Sequence, residues 1–217
     1  MRRSMIFMPG NNPGMLLNAD ILGADAAILD LEDAVSPAEK DAARILVRNA
    51  IKTLKYKCEV CVRINSIDTT FWKEDLDEIL PLRPDLIMPP KISTAQDVLV
   101  VDAYMTELEK KHGMEVGTVK LIPLIETALG IENAYAIASS CPRVAAMLLG
   151  GEDLTADLQC KRTKEGKEIF YSRSRMVVAA RAAGRAPQEV PPAPAPAPAP
   201  VPKGIDVSAD DFDDDED

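Results

Sequence analysis

Six short apolar runs, separated by segments of helical patterning, constrain what this chain can fold into. They are "SMIFMPG" (4–10), "AAILDLED" (26–33), "EVCVRIN" (59–65), "DLIMPPK" (85–91), "VKLIPLIET" (119–127) and "AAMLLGGED" (145–153). A strand covered on both faces reads as an unbroken apolar run, because neither face meets water. Helical segments fill the gaps. "NPGMLLNADILG" closes on Gly23, and "SPAEKDAARILVRNAIKTL" opens with Ser36 as expected N-cap, Pro37 at the first helical position and Glu39 three residues past the cap. "DTTFWKEDLDEIL", "TAQDVLVVDAYMTELEKKHG" and "GIENAYAIASSC" continue the alternation, and "SRMVVAARAAG" reads as an outer helix ending on Gly184. This order predicts right-handed βαβ units and a parallel sheet, either a closed barrel or an open doubly wound layer.

The first βα turn, "PGNNPG", lacks the G-x-G-x-x-G phosphate turn, and G-x-x-x-x-G-K-[ST] occurs nowhere. Several strands instead end on polar or charged residues: Asp30, Glu32 and Asp33; Arg63 and Asn65; Lys91; Glu126; Glu152 and Asp153. The strands of a β/α barrel converge at their C-terminal ends, so these groups would share one mouth. The predicted fold is therefore α/β, a TIM-type β/α barrel. Only six of eight strands are visible, so the barrel body, residues 1–184, is expected to be incomplete, with strand edges left to be paired or covered. Residues 185–217 change character abruptly: alternating Pro and Ala favour a stiff polyproline spacer and the acidic end buries too little to fold, so a disordered tail is expected.

Charge removes several functions. The formal net charge is -10, but residues 185–217 hold nine acids against Arg185 and Lys203, leaving -3 for the body. A nearly neutral body with an acidic tail gives no electrostatic reason to bind nucleic acid or an anionic membrane. No apolar window spans a bilayer, and "MRRSMIFMPG" reads as a first strand, so a cytoplasmic protein is expected. Cys58 and Cys61 have C-x-x-C spacing, yet they sit in a strand pattern that sends them to opposite faces, and no second pair completes a zinc site. His112, the only histidine, falls in the charged "LEKKHGMEVG" linker, which disfavours Ser-His-Asp or Cys-His chemistry.

Glu126 alone reads as a solvated loop residue, and Asp153 as a helix N-cap. Together, from neighbouring strand ends, they suit Mg²⁺, which takes few protein oxygens and leaves positions for water and substrate. Gly150 and Gly151 would let backbone approach a ligand, and the planar fork of Arg63 suits a substrate carboxylate. A small multicarboxylate that chelates the metal is implied. Lys91 is the one strand-end lysine available to a Schiff-base aldolase; metal-assisted carbon–carbon cleavage fits the set better.

"RRSMIFMPGNNPGML", "ILDLEDAVSPAEKDAAR", "VRIN", "MPPK", "LIETALGIENA", "LLGGEDLTADL" and "YSRSRMVVAARAAG" together resemble the citrate lyase β-subunit family, within the citryl-, malyl- and citramalyl-thioester lyases and related aldolases. The resemblance implies a Mg²⁺-dependent barrel that cleaves a citryl thioester to oxaloacetate and an acetyl thioester. By motif, Glu126 and Asp153 would be metal ligands and Arg63 and Glu126 substrate contacts. Glu32 and Asp33 would orient Arg63 and waters. The motifs assign no residue to proton abstraction. Implied partners are an acyl carrier protein or coenzyme A thioester, citrate lyase α and γ subunits, and further copies of the chain. The thioester arm could meet Arg173 and Arg175, or these could belong to a plain structural helix. In the family the chain continues past "AARAAG" through the last strands. Here the expectation is a barrel completed by partners or a shortened form. Malyl- or citramalyl-coenzyme A cleavage and a purely binding role are the alternatives.

Overall fold

A computed structural model describes residues 2–185. Five parallel strands, β1 (Met5–Pro9), β2 (Ala26–Asp30), β3 (Glu59–Arg63), β4 (Leu86–Met88) and β5 (Lys120–Leu121), lie side by side in chain order. β6 (Leu124–Ile125) pairs in parallel with β7 (Leu148–Leu149). The run 119–127, expected as one strand, is thus two, because Pro123 between them has no N–H to give to a ladder. The layer nevertheless continues: Ile122 N–H donates to the Ile87 carbonyl (3.0 Å), Leu124 N–H to Pro89 (3.0 Å), Ala145 N–H to Leu121 (2.9 Å) and Leu148 N–H to Pro123 (3.0 Å). Each strand position neighbours its successor, the order of a β/α barrel.

Helices connect the strands. α1 (Pro13–Asn18) is capped by Asn12, whose side chain accepts from Met15 N–H at 3.1 Å, and a 3₁₀ turn, Ala19–Leu22, closes on Gly23 at φ 68°. After β2 comes a 3₁₀ turn, Pro37–Glu39, and then α2 (Lys40–Thr53). The cap expected at Ser36 is not made to backbone; the Ser36 hydroxyl bonds the Glu39 carboxylate at 3.0 Å instead, and the α-helix starts four residues later. A true capping box stands at Thr94 and Asp97, at the start of α4 (Ala95–Lys111), after α3 (Phe71–Ile79). "GIENAYAIASSC" is two short helices, α5 (Ala128–Glu132) and α6 (Ala134–Ala138). α7 (Gly151–Asp157) begins inside the run expected to be strand, so Glu152 and Asp153 are first-turn helix residues. α8 (Phe170–Ala182) ends before Gly184, at φ 69°. The predicted tail lies outside the described residues except for Arg185, whose guanidinium donates to the Ala138 and Cys141 carbonyls.

Side chains alternate across a strand, and the core divides accordingly. Ala27, Leu29, Leu31, Val60, Val62, Ile64, Ile87 and Ile125 pack outward against helix residues such as Val47, Leu76, Val98 and Ile137. Ile28, Cys61, Leu86, Met88, Ile122, Leu124 and Ala146 form a second, inner cluster. Each fully buried Val, Leu, Ile or Met among them contributes roughly 1.5–3 kcal/mol. Cys58 joins the outer cluster while Cys61 lies in the inner one, so the two thiols sit on opposite faces of the sheet. His112 is exposed at the end of α4. At the strands' N-terminal ends, buried Arg143 binds Glu109 with both Nη atoms (2.8 and 2.9 Å) and Asp102 through Nε (2.6 Å). Among the described residues no helix is long and apolar enough to cross a membrane.

Candidate metal and substrate site

The inner face changes from apolar to ionic at the C-terminal ends of the strands. Two residues on from Ile28 stands Asp30; two on from Cys61 stands Arg63; two on from Leu124 comes Glu126. Asp30 and Arg63 are register partners on adjacent strands. The Arg63 Nε donates to one Asp30 oxygen at 2.7 Å and Nη2 to the other at 2.5 Å. The same carboxylate accepts the N–H groups of Glu32 (2.9 Å) and Ala34 (3.2 Å), so it also shapes the turn after β2. The Arg63 guanidinium carbon lies 4.8 Å from the Phe7 ring centroid, a cation–π contact on the inner face. Behind the turn, buried Lys40 donates to the Leu31 (2.8 Å) and Glu32 (2.7 Å) carbonyls, and burial pulls its pKa down.

Lys91 links this cluster to the next. Its backbone is left-handed, φ 55°. Its N–H donates to Glu126 Oε2 at 2.9 Å, while Nζ reaches Glu32 Oε1 at 2.7 Å and Asp33 at 3.7 Å. Glu126 is only 4% exposed. Burial raises its pKa to about 7. The Lys91 N–H opposes that rise, and the negative charges of Asp153 and Glu32 add to it. Asp153 also raises the pKa of Lys91, behind the larger effect of the Glu32 hydrogen bond. Glu32 is likewise raised by burial, against the pull of Lys91 and Arg63.

Gly150 closes the site on the side of Glu126: a Cβ there would stand 2.5 Å from Glu126 Oε1. No residue other than glycine fits without displacing the carboxylate. Gly151 is similarly crowded, by the Arg162 guanidinium at 2.7 Å, and Arg162 pairs with exposed Glu152 at 2.7 Å. Glu152 is therefore turned from the site, whereas the charge of Asp153 is felt by both Glu126 and Lys91. Asn65 is also elsewhere, its N–H and Nδ2 both bonded to buried Asp75 of α3. Arg173 and Arg175 donate to the Gly166 and Glu132 carbonyls, each at 3.3 Å, as members of α8.

The structure thus gathers Glu126, Asp153, Arg63, Glu32, Asp33 and Lys91. It adds Lys40, which sequence reasoning did not single out, and gives Asp30, expected only as one of several strand-end acids, a two-point bond to Arg63; both also bond backbone groups of the turn after β2, which no motif spacing reveals. Five carboxylates (Asp30, Glu32, Asp33, Glu126, Asp153) crowd Arg63 and Lys91, a surplus of negative charge that a cation would relieve. Among the described residues no three ligand-type side chains converge on one point. A pair of carboxylates with Glu126 Oε1 unbonded suits a hard ion that keeps waters, and fits Mg²⁺ better than a metal enclosed by protein.

Residues 3–190 match the family described as HpcH/HpaI aldolase/citrate lyase. The chain belongs to that family. It is 44% identical over 187 residues to the citrate lyase subunit beta of Leuconostoc mesenteroides subsp. cremoris, covering 86% of this chain and 62% of that protein. It is 38% identical over 175 residues to the L-malyl-CoA/beta-methylmalyl-CoA lyase of Cereibacter sphaeroides strain ATCC 17025, covering 78% of this chain and 55% of that one. Among solved structures, the citrate lyase beta subunit from M. tuberculosis complexed with oxaloacetate and magnesium matches with TM-score 0.69 and 29% identity, covering 86% of this chain and 77% of that chain. The parallel layer is accordingly the TIM-barrel-like fold of the HpcH/HpaI aldolases. The chain spans 62% and 64% of the first two citrate lyase subunits it matches.

Proposed function

We propose that this chain is the carbon–carbon lyase component of a citrate lyase, cleaving a citryl thioester to oxaloacetate and an acetyl thioester with Mg²⁺. What supports the reading is that Asp153, in the first turn of α7, is near enough for its charge to raise the pKa of Glu126, just past β6, beside a guanidinium two-thirds committed to Asp30. On this reading Glu126 and Asp153 hold the ion, and Glu126 also contacts substrate. Magnesium, when bound, supplies a Lewis acid for the keto and carboxylate oxygens of an oxo acid. Arg63 offers Nη1 to a substrate carboxylate, and its fixed pose means little reorganisation is needed when charge shifts in the reaction. Gly150 leaves room for Glu126 to keep one oxygen free.

The relatives' identity as citrate lyase β subunits supports α and γ subunits as partners, with the thioester carried by an acyl carrier protein or coenzyme A. We also read the strand layer as six of eight barrel positions within a body of residues 1–184, working in a homo-oligomer. The similarity to a malyl-CoA lyase favours one alternative: the same site acting on malyl-coenzyme A. Assays of oxaloacetate, glyoxylate and pyruvate release from citryl, malyl and citramalyl thioesters, with and without Mg²⁺, separate them. Magnesium-dependent oxaloacetate from the citryl thioester is expected. Absence of product from all three, with the α and γ subunits present, would sink both lyase readings.

A further inference from the structure

Lys91 carries two peculiarities. A lysine at φ 55° sits where glycine would be free of strain, in a left-handed conformation that L-residues seldom adopt. Strain of this kind persists where the side chain is needed. The second peculiarity lies in what Lys91 touches. Arg63 spends Nε and Nη2 on Asp30, leaving Nη1. Glu32 Oε2 stands 3.2 Å from that Nη1, yet this buried oxygen makes no hydrogen bond. A buried acceptor without a donor is costly. The nearest donor is at hand, but the carboxylate is held at an angle that misses it. The restraint is visible: Lys91 Nζ grips the other oxygen, Oε1, at 2.7 Å.

We propose that Lys91 is a positioning residue that restrains Glu32 and so keeps Arg63 Nη1 available for a ligand carboxylate. The inference rests on the lyase reading for the ligand's identity, but its geometric part does not. Without the ammonium, the Glu32 carboxylate would rotate onto Nη1, satisfy its orphaned oxygen and occupy the donor a substrate needs. Asp33, 3.8 Å from Nη1 and half exposed, is too solvated to compete in the same way. Pro89 and Pro90, just before Lys91, stiffen the chain that delivers it.

The test compares the full chain with Lys91→Met, Glu32→Gln and the double variant. Oxaloacetate is titrated calorimetrically into each at saturating Mg²⁺, and each is crystallised without ligand. Lys91→Met is expected to weaken oxaloacetate by about tenfold or more while magnesium is still taken up, and adding Glu32→Gln is expected to restore most of that loss. A lysine that merely neutralises Glu32 would show the same rescue, so the crystal separates the two roles, while equal oxaloacetate affinity in wild type and Lys91→Met, or an unrescued double variant, refutes the proposal. The ligand-free Lys91→Met crystal is expected to show Glu32 hydrogen-bonded to Arg63 Nη1; an unchanged gap refutes it as well. If wild type binds neither magnesium nor oxaloacetate, the lyase reading falls while the crystal still decides the role of Lys91. Lys91→Gly, which relieves the strain and keeps the N–H to Glu126, substitutes should Lys91→Met fold poorly.

Discussion

Lowering the pH from about 8 to about 6 should weaken Mg²⁺ binding by about tenfold. The Glu126 carboxyl has its pKa raised to about 7, first by burial and then by Asp153 and Glu32. An ion coordinated by Glu126 must meet the ionised form, which makes up roughly nine-tenths of sites at about pH 8 and roughly one-tenth at about pH 6. Uptake at the lower pH should therefore release close to one proton per ion, and at the higher pH almost none. Calorimetric titration in two buffers of different ionisation enthalpy reads both quantities. The same displacement has a stability consequence with a definite sign. The fold favours protonated Glu126, so its contribution is complete below the ordinary value of 4.5 and is lost as pH rises through about 7. That gap corresponds to at most roughly 3 kcal/mol in the metal-free chain, and saturating magnesium should offset it at the upper end. Equal affinity at the two pH values, or no proton release at about pH 6, would refute the placement of Glu126 in the ion's shell.

Three further outcomes follow. Gly150→Ala would put a methyl 2.5 Å from Glu126 Oε1; magnesium affinity should fall by about tenfold or more with thermal stability lowered by only about 1–3 kcal/mol, read by calorimetry and urea melts. Arg63→Met would leave Asp30, 0% exposed, as an uncompensated buried charge, so urea unfolding should show a loss of about 3–5 kcal/mol together with loss of oxaloacetate binding. Arg143→Met would strip Glu109, also 0% exposed, of its partner at the opposite end of the strands; a similar loss of about 3–5 kcal/mol is expected, but the fraction that stays folded should bind magnesium as wild type does.

The strand positions were legible because burial on both faces leaves long apolar runs, and the site residues were legible because they end those runs. What escaped were features set by backbone and register. Pro123 divides its strand by withholding one hydrogen bond, and Ser36 turns to a side chain rather than to the helix end. "GGED" looks like the close of a strand until Gly150 N–H, bonded to Ile125 at 2.9 Å, ends the pairing and the helix starts at once. Lys91 could be noticed as a strand-end cation, but nothing in "MPPK" announces a left-handed residue whose N–H faces an acid thirty-five positions away. Asp30 looked like one acid among three; only the register with Arg63 distinguishes it.

That register is where packing turns into chemistry. Pro9, Asp30, Arg63 and Met88 stand level across four strands, and side-chain direction alternates with every residue. A slip of β3 by one position would send Val62 inward and push Arg63 beneath α2 and α3 among Val47, Leu76 and Ile79, where the buried Asp75 carboxylate is already taken by Arg44 and Asn65 and a second guanidinium would lack a partner. The apolar outer layer therefore fixes the ionic inner one. The cost of misplacing outward-facing valines and isoleucines holds Arg63 against Asp30, and the Asp30 carboxylate in turn folds the loop that carries Glu32. A site built this way inherits the stiffness of the sheet, so changes in the outer hydrophobic cluster that shift β3 by a fraction of an ångström should reach ligand binding through Arg63 before they reach global stability.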